Sequence, residues 1–334
     1  MNLDTLLEWL SVDSTTNSEA EYLQVLERTL AADGLTVTRQ HVADDRWNLL
    51  ALSEGPTRLL LNTHVDTVPP FFGPTIDGEK IRARGACDTK GGLFAMWTAW
   101  RALPAPLRSQ IGFSLVVGEE VDHIGAKVAA AAPVDGIEMI VMCEPTRNRL
   151  SRGQKGILKI RLHASGQAGH SAFPETGHSA VHTLIAACAR LQAASWPRHE
   201  ELGETTFNIG VIQGGVAANV FAPAASAEIL FRVVSDLESL QAQVRDCVGD
   251  EIRIEEIASN DAMALKYWGG FETDVVPFNT DAPYLGKDTP VVLVGPGDIR
   301  TAHSPDEHLS VPDLEAGVAL YDQLFRGILD GSLA

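Results

Sequence analysis

Leu59-Leu60-Leu61-Asn62-Thr63-His64-Val65-Asp66-Thr67 is the stretch whose reading decides the fold: an apolar run breaks off in a His-x-Asp. Two later stretches repeat the pattern. Ile111 to Gly118 ends in Glu119-Glu120, and Ile137 to Cys143 ends in Glu144. Short apolar runs of this kind read as buried strands. Three strands then deliver His, Glu and Glu to their carboxyl ends, where open α/β sheets bind ligands. Imidazole and carboxylate together suit zinc, and a set this rich in carboxylate can hold two ions.

A two-metal hydrolase needs a carboxylate that bridges ions about 3.5–4 Å apart. It also needs a His and a carboxylate for each ion, and a free carboxylate as general base. Asp88 is the natural bridge, being short and lying in Gly85-Ala86-Cys87-Asp88-Thr89-Lys90-Gly91-Gly92, a turn that opens a helix. His64 and Glu144 are expected on one ion and Glu120 and His303 on the other, which leaves Glu119 as the base. Asp66 sits two residues from His64 on the same strand face. It is expected to accept the second ring N–H of that His and fix its tautomer.

Working outward, Ser18-Glu19-Ala20-Glu21 reads as a capping box opening a helix that Gly34 stops. Strands are expected near 36–42, 47–53 and 58–64, a helix over 91–103, a strand over 111–118, a helix over 125–132 and a strand over 137–143. This alternation is the α/β pattern. From about Gly156 the texture changes. Leu158, Ile160, Leu162 and Ala164 alternate with Lys159, Arg161 and His163, as in a strand with one face in water. A helix over 178–193, strands over 206–213 and 225–234, a helix over 236–247 and a strand over 251–257 complete a small α+β layer. Strand 291–294 and helix 312–329 return to the first domain. The expected division is 1–155, 156–260 and 261–334, with the middle segment inserted into one catalytic domain.

Composition narrows the class by exclusion. A net charge of −18 argues against nucleic acid and anionic membrane as partners. No apolar run reaches the length of a membrane span and the first residues carry no basic secretory start, so a cytoplasmic protein is expected. Cys87 and Cys143 each precede a proposed ligand, but alternation turns Cys143 away from the face carrying Glu144, and no Cys-x-x-Cys occurs. There is no His-Glu-x-x-His and no Gly-x-Ser-x-Gly, so neither a single-zinc helix nor a nucleophile elbow is supported. Gly295-Pro296-Gly297 is no phosphate loop, because proline removes an N–H and no Gly-Lys-Ser/Thr follows. His178 and His182 lie four apart on an expected helix, but no third ligand completes them. His163 reads as solvated, His123 as part of a loop, and His308 as a neighbour of the ligand His303.

The motifs also carry a resemblance. Thr63-His64-Val65-Asp66-Thr67-Val68-Pro69, the segment Gly85 to Gly92, Gly118-Glu119-Glu120, Cys143-Glu144-Pro145-Thr146 and the late His303 resemble the M20 family of metallopeptidases and deacylases. They come in that family's order and cover nearly the whole chain. The resemblance implies a zinc-peptidase-like α/β catalytic domain, with a mixed sheet flanked by helices, interrupted by a smaller α+β dimerisation or lid domain. It implies two zinc ions per subunit, replaceable by cobalt or manganese, and hydrolysis of an amide in a small amino-acid derivative. Asn279-Thr280-Asp281-Ala282-Pro283 and the segment Val294 to Glu307 are similar to the acetylornithine deacetylase branch, which implies N-acetylornithine as substrate. Acetylcitrulline deacetylases, hydrolases that free lysine or ornithine from a carrier protein, and dipeptidases or carboxypeptidases are the alternatives. A non-catalytic binding module is disfavoured, because the ligand set and the base are intact.

The same resemblance assigns residues in the inserted segment. His170, in Gly169-His170-Ser171, matches a His that reaches into the partner's active site of a homodimer. There it stabilises the oxyanion, a role worth about 2.7–4 kcal/mol for one donor. Asn219 matches a substrate-binding Asn. Arg232 matches the Arg that grips the substrate's α-carboxylate, a job suited to a planar guanidinium.

Overall fold

The computed structural model describes residues 2–333 and resolves into two units along the chain. The first runs to Arg152 and takes up the chain again over Leu265–Asp274 and from Thr280 onward; the second holds Gly153–Ala264 and Val275–Asn279. These boundaries fall a few residues from the expected ones, and the short return at 275–279 was not foreseen.

In the first unit the run ending in His64 forms the strand Leu59–His64, buried at every residue. It lies inside a six-stranded sheet in the order Thr36–Ala43, Arg46–Leu52, Ile111–Val116, Leu59–His64, Met139–Met142, Val291–Leu293. The first two strands pair antiparallel and the last four run parallel. Parallel strands covered on both faces need continuous apolar sequence. That is why these runs lack polar alternation. Asn62 lies opposite both Ser114 and Met142, so the three strands emerge along one edge of the sheet.

Helices cover the sheet from both sides. Ala20–Ala32, Lys90–Ala102 and Val311–Asp330 bury their apolar faces in one core with Leu49, Ala51, Leu59 and Leu61. The alternate side of Arg46–Leu52 meets the helix Ile124–Ala131, where the Asn48 amide donates to the carbonyl of Gly125 at 2.9 Å.

One expected feature is absent. No side chain caps the helix Ala20–Ala32, and the N–H of Ser18 donates to the carbonyl of Thr15 instead. Glu19, 1% exposed, is held by Arg46 at 2.6 Å. A cap is worth about 1 kcal/mol, whereas breaking a buried ion pair costs about 3–5 kcal/mol. The helix begins at Ala20, and the pair involves neither Ser18 nor Glu21, the two members of the box. The short helix Asp4–Leu10 and the strands Thr75–Asp77 and Lys80–Arg82 were also not anticipated, being too short to show a period.

The second unit is a four-stranded antiparallel sheet in the order Thr206–Gly214, Ala224–Val233, Gly156–Ser165, Ile252–Asn260. Leu158, Ile160, Leu162 and Ala164 face a core shared with the helices Ala180–Ala193 and Leu237–Val248. On the other face Arg161 pairs with Glu228, and His163 pairs with Glu255 at 2.7 Å, so His163 is partnered as well as half exposed.

Candidate active site

Asp88 stands between two imidazoles. Its Oδ1 is 3.0 Å from Nε2 of His64, and its Oδ2 is 3.3 Å from Nε2 of His303. His303 meets Glu120 as well, at 2.9 Å. His64, Asp88 and Glu120 each place one ligand atom within 4.8 Å of the others. Asp88 reaches both imidazoles and Glu120 lies beside His303, while the tight trio sets Glu120 close to His64 as well. Glu144, 4% exposed, acts on His64 through its charge.

Local chemistry explains why these side chains arrive together. His64 ends its strand and Glu144 follows Met139–Met142, so parallel register brings both to one edge. Asp88 precedes the helix Lys90–Ala102. Its loop is held by Glu307, whose Oε1 accepts the N–H groups of Gly85, Cys87 and Asp88 at 2.9, 3.2 and 3.1 Å. The other oxygen of Glu307 is bound by Arg84, and both side chains are buried. Thr89 donates to the carbonyl of His64 at 3.1 Å, which ties this loop to the strand.

Asp66 serves differently from expectation. Its backbone carbonyl, 2.9 Å from Nδ1, takes the second ring N–H of His64. The carboxylate is 3.7 Å from that nitrogen. It accepts instead from the Thr16 hydroxyl at 2.8 Å and from the N–H groups of Glu119 and Glu120 at 3.1 and 3.3 Å. After the strand the chain turns, and this carboxylate faces the Gly118–Glu120 turn rather than the ring. No strand-face argument reveals that.

The electrostatics are those of an acid-rich pocket. Burial alone would raise the Asp88 carboxyl, yet hydrogen bonds and charge from His303 and His64 hold it below the usual carboxylate range. Burial opposes the charge on His64, but Asp88 and the neighbouring carboxylates hold its imidazole well above the ordinary value. Hydrogen bonds to Asp88 and Glu120 push His303 up to about 10. Burial and the neighbouring acids raise Glu119 and Glu144 well above normal, and Glu120 in the same direction. Four carboxylates packed around two imidazoles repel one another unless cations are added. With O and N donors converging from opposite sides of Asp88, the set fits a pair of divalent ions.

The residues assigned to the inserted segment lie in the second unit. His170 is exposed; its backbone bridges to Val220, and the carbonyl of Asn219 accepts from the N–H of Ser171 at 3.0 Å. The two loops are therefore neighbours. Arg232 is half buried on Ala224–Val233, opposite Thr206 and Ile157. His178 precedes the helix Ala180–Ala193 that holds His182, so the two do not share its face. Two further residues lie beside these groups, one without a sequence signal and one read mainly as loop. Glu307 follows Pro305-Asp306 with no periodic signal, and His123, read as a loop residue, is 8% exposed with Nδ1 2.8 Å from Asp281.

Comparison with known proteins follows the same outline. The family model described as peptidase family M20/M25/M40 matches residues 60–327. A peptidase M20 domain-containing protein of Schizosaccharomyces pombe is 35% identical over 326 residues, covering 94% of this chain and 82% of that protein. A probable carboxypeptidase of Aspergillus clavatus is 32% identical, with 97% of this chain and 82% of that protein covered. The crystal structure of a tripeptidase from Staphylococcus aureus superposes with a TM-score of 0.81 at 23% identity, over 97% of this chain and 98% of the other. None of these three names is that of a deacetylase. With some four-fifths of its length matched, and the candidate-ligand strand ends inside the match, the chain belongs to peptidase family M20/M25/M40.

Proposed function

We propose that this metal-dependent hydrolase cleaves the amide next to a free α-carboxylate in a small peptide or N-acyl amino acid, with peptides ahead of N-acetylornithine. The observation that carries the reading is Asp88 spanning His64 and His303 while Glu119, adjacent to the ligand Glu120, stays outside the tight trio. The relatives named carboxypeptidase and tripeptidase favour a peptide substrate over the acetylornithine branch that the tail resembles. In this reading His64, Asp88, Glu120, Glu144 and His303 hold two divalent ions, zinc first. Bound there, such ions polarise a carbonyl oxygen and lower the pKa of water.

The protein supplies the proton transfers. The Glu119 carboxylate takes a proton from the attacking water and hands it to the leaving amine. Its place beside Glu120 and outside the tight trio leaves it free for both steps. Asp66 fixes the Glu119 backbone through its N–H. Arg232 reads the α-carboxylate and Asn219 helps hold the substrate. His170 meets the oxyanion from a partner subunit in a homodimer. Support for a dimer comes from the exposed edge strand Thr206–Gly214, where Val211 and Ile212 are 43% and 58% exposed.

The test is amine release by zinc- or cobalt-loaded protein from alanyl-leucine, N-acetyl-alanyl-leucine, N-acetylornithine, N-acetylcitrulline and N-succinyl-diaminopimelate. Cleavage of N-acetyl-alanyl-leucine with release of leucine is expected. Selective turnover of N-acetylornithine would reinstate the deacetylase branch. Glu119→Gln should keep two metal equivalents and lose about 10²–10⁴-fold in kcat. Full activity in that variant ends the assignment of the base.

A further inference from the structure

Two adjacent carboxylates, Glu119 and Glu120, leave the same turn toward different surroundings. Glu120 meets His303 and belongs to the trio around Asp88. Glu119 belongs to a second trio, with His123 and Asp281, whose ligand atoms also lie within 4.8 Å of one another. Nδ1 of His123 is 2.8 Å from Oδ1 of Asp281 and 3.7 Å from Oε1 of Glu119. The imidazole therefore donates to Asp281 and presents the same edge to Glu119.

The imidazole is held at its Nδ1 edge by Asp281 and by the ring of Tyr284. His123 has φ +56°, the left-handed backbone, and its N–H donates to the carbonyl of Gly118 at 2.7 Å. This folds the chain back over the Glu119–Glu120 turn. The Tyr284 ring packs on the imidazole at 5.1 Å between centroids, and the Lys127 ammonium sits over the far ring at 5.2 Å. Asp281, 2% exposed, is fixed in turn, because its carbonyl accepts from Tyr284 and Leu285 at 3.1 and 3.2 Å. A left-handed conformation in a residue other than glycine is uncommon and costly outside Asn, Asp and His.

We infer that His123, anchored by Asp281, is a positioning residue: it holds the Glu119 carboxylate apart from the ligand cluster and aimed for proton transfer. The inference rests on the reading of Glu119 as the base. It concerns orientation, which sets how much of the base's capacity is used, because small misplacements of a catalytic group cost large factors in rate.

Three variants of the full chain test it, loaded with zinc and assayed on the panel above. His123→Gly accepts the left-handed backbone but removes the ring. It should lose about 10–100-fold in kcat, the range for a partner that orients a catalytic group, with KM and two zinc equivalents unchanged. His123→Asn accepts the same backbone and returns an amide N–H near Nδ1, so it should recover most of that loss. In a Glu119→Gln background, His123→Gly should lower kcat no further. A crystal structure of the zinc-bound His123→Gly variant should show the Glu119 carboxylate displaced, a readout independent of turnover. The inference is overturned by kcat within twofold of wild type with Glu119 unmoved, or by an additive loss in the double variant. If His123→Gly does not fold, low kcat in a folded, two-zinc His123→Asn overturns it instead. Wild-type activity of Glu119→Gln would remove Glu119 as base while leaving the crystallographic test of His123 standing.

Discussion

Asp66 illustrates how one carboxylate organises a site without touching the chemistry. It is fully buried and receives the N–H groups of both Glu119 and Glu120. Asp66→Ala should orphan these donors and the Thr16 hydroxyl, at about 1–3 kcal/mol for each unsatisfied buried group. The expected outcome is lower stability together with a loss of about 10–100-fold in activity, checked by urea unfolding beside steady-state kinetics. A variant that unfolds normally and turns over normally would show that the Glu119–Glu120 turn holds itself. At this scale the residue types are legible in the sequence: His64, Glu119, Glu120 and Glu144 stand out as polar groups closing apolar runs, and Asp88 as a short carboxylate in a Gly-rich turn, while His303 rests on the motif order. The atoms that bind them to one another were not. The carbonyl of Asp66, rather than its carboxylate, meets His64, and Glu307 organises Asp88 from far along the chain.

Among the elements, the helix Lys90–Ala102 is pressed unusually close to its surroundings at its start. A Cβ added at Gly92 would meet Cys143 Sγ at 2.1 Å, and one at Gly91 would meet the carbonyl oxygen of Ala86 at 2.3 Å. These glycines let the helix approach the strand that leads to Glu144 and keep the Asp88 loop near that strand's end. Gly92→Ala therefore overpacks the junction and should destabilise by about 1–3 kcal/mol. It should also weaken zinc binding, because Asp88 and Glu144 are pushed apart; denaturant unfolding and zinc titration read the two effects separately. Unchanged unfolding would mean that Cys143 gives way at little cost. The longer helices and strands are readable because their apolar runs or periods extend over enough residues, whereas Asp4–Leu10, Thr75–Asp77 and Lys80–Arg82 are too short to show one. The capping box does not form, and the neighbouring Glu19 is instead paired with Arg46, a partner outside the helix that no local signal at Ser18 reveals.

For the whole molecule, the candidate ligands all belong to the first unit, and His170, Asn219 and Arg232 all belong to the second. A ligand that binds only the folded state stabilises by RT ln(1 + [L]/Kd), about 4 kcal/mol at a thousandfold excess over Kd. Zinc should therefore slow amide hydrogen exchange in 59–67, 85–92, 118–123, 142–146 and 295–303. The sheet of Gly156–Ser165 and Ala224–Val233 should keep its metal-free rates. Equal protection in both units would mean that metal binding is not confined to the first. No helix among the described residues is long and apolar enough to cross a membrane. The sequence by itself determined the α/β class, because hydrophobic period and chain order are local properties, and the same signals nominate the candidate ligands. Only the tertiary structure decided which carboxylate lies beside which imidazole, and that His123, Asp281 and Glu307 stand behind them. Those contacts join segments up to some two hundred residues apart, brought together by the parallel register of the sheet and the turns at its edge.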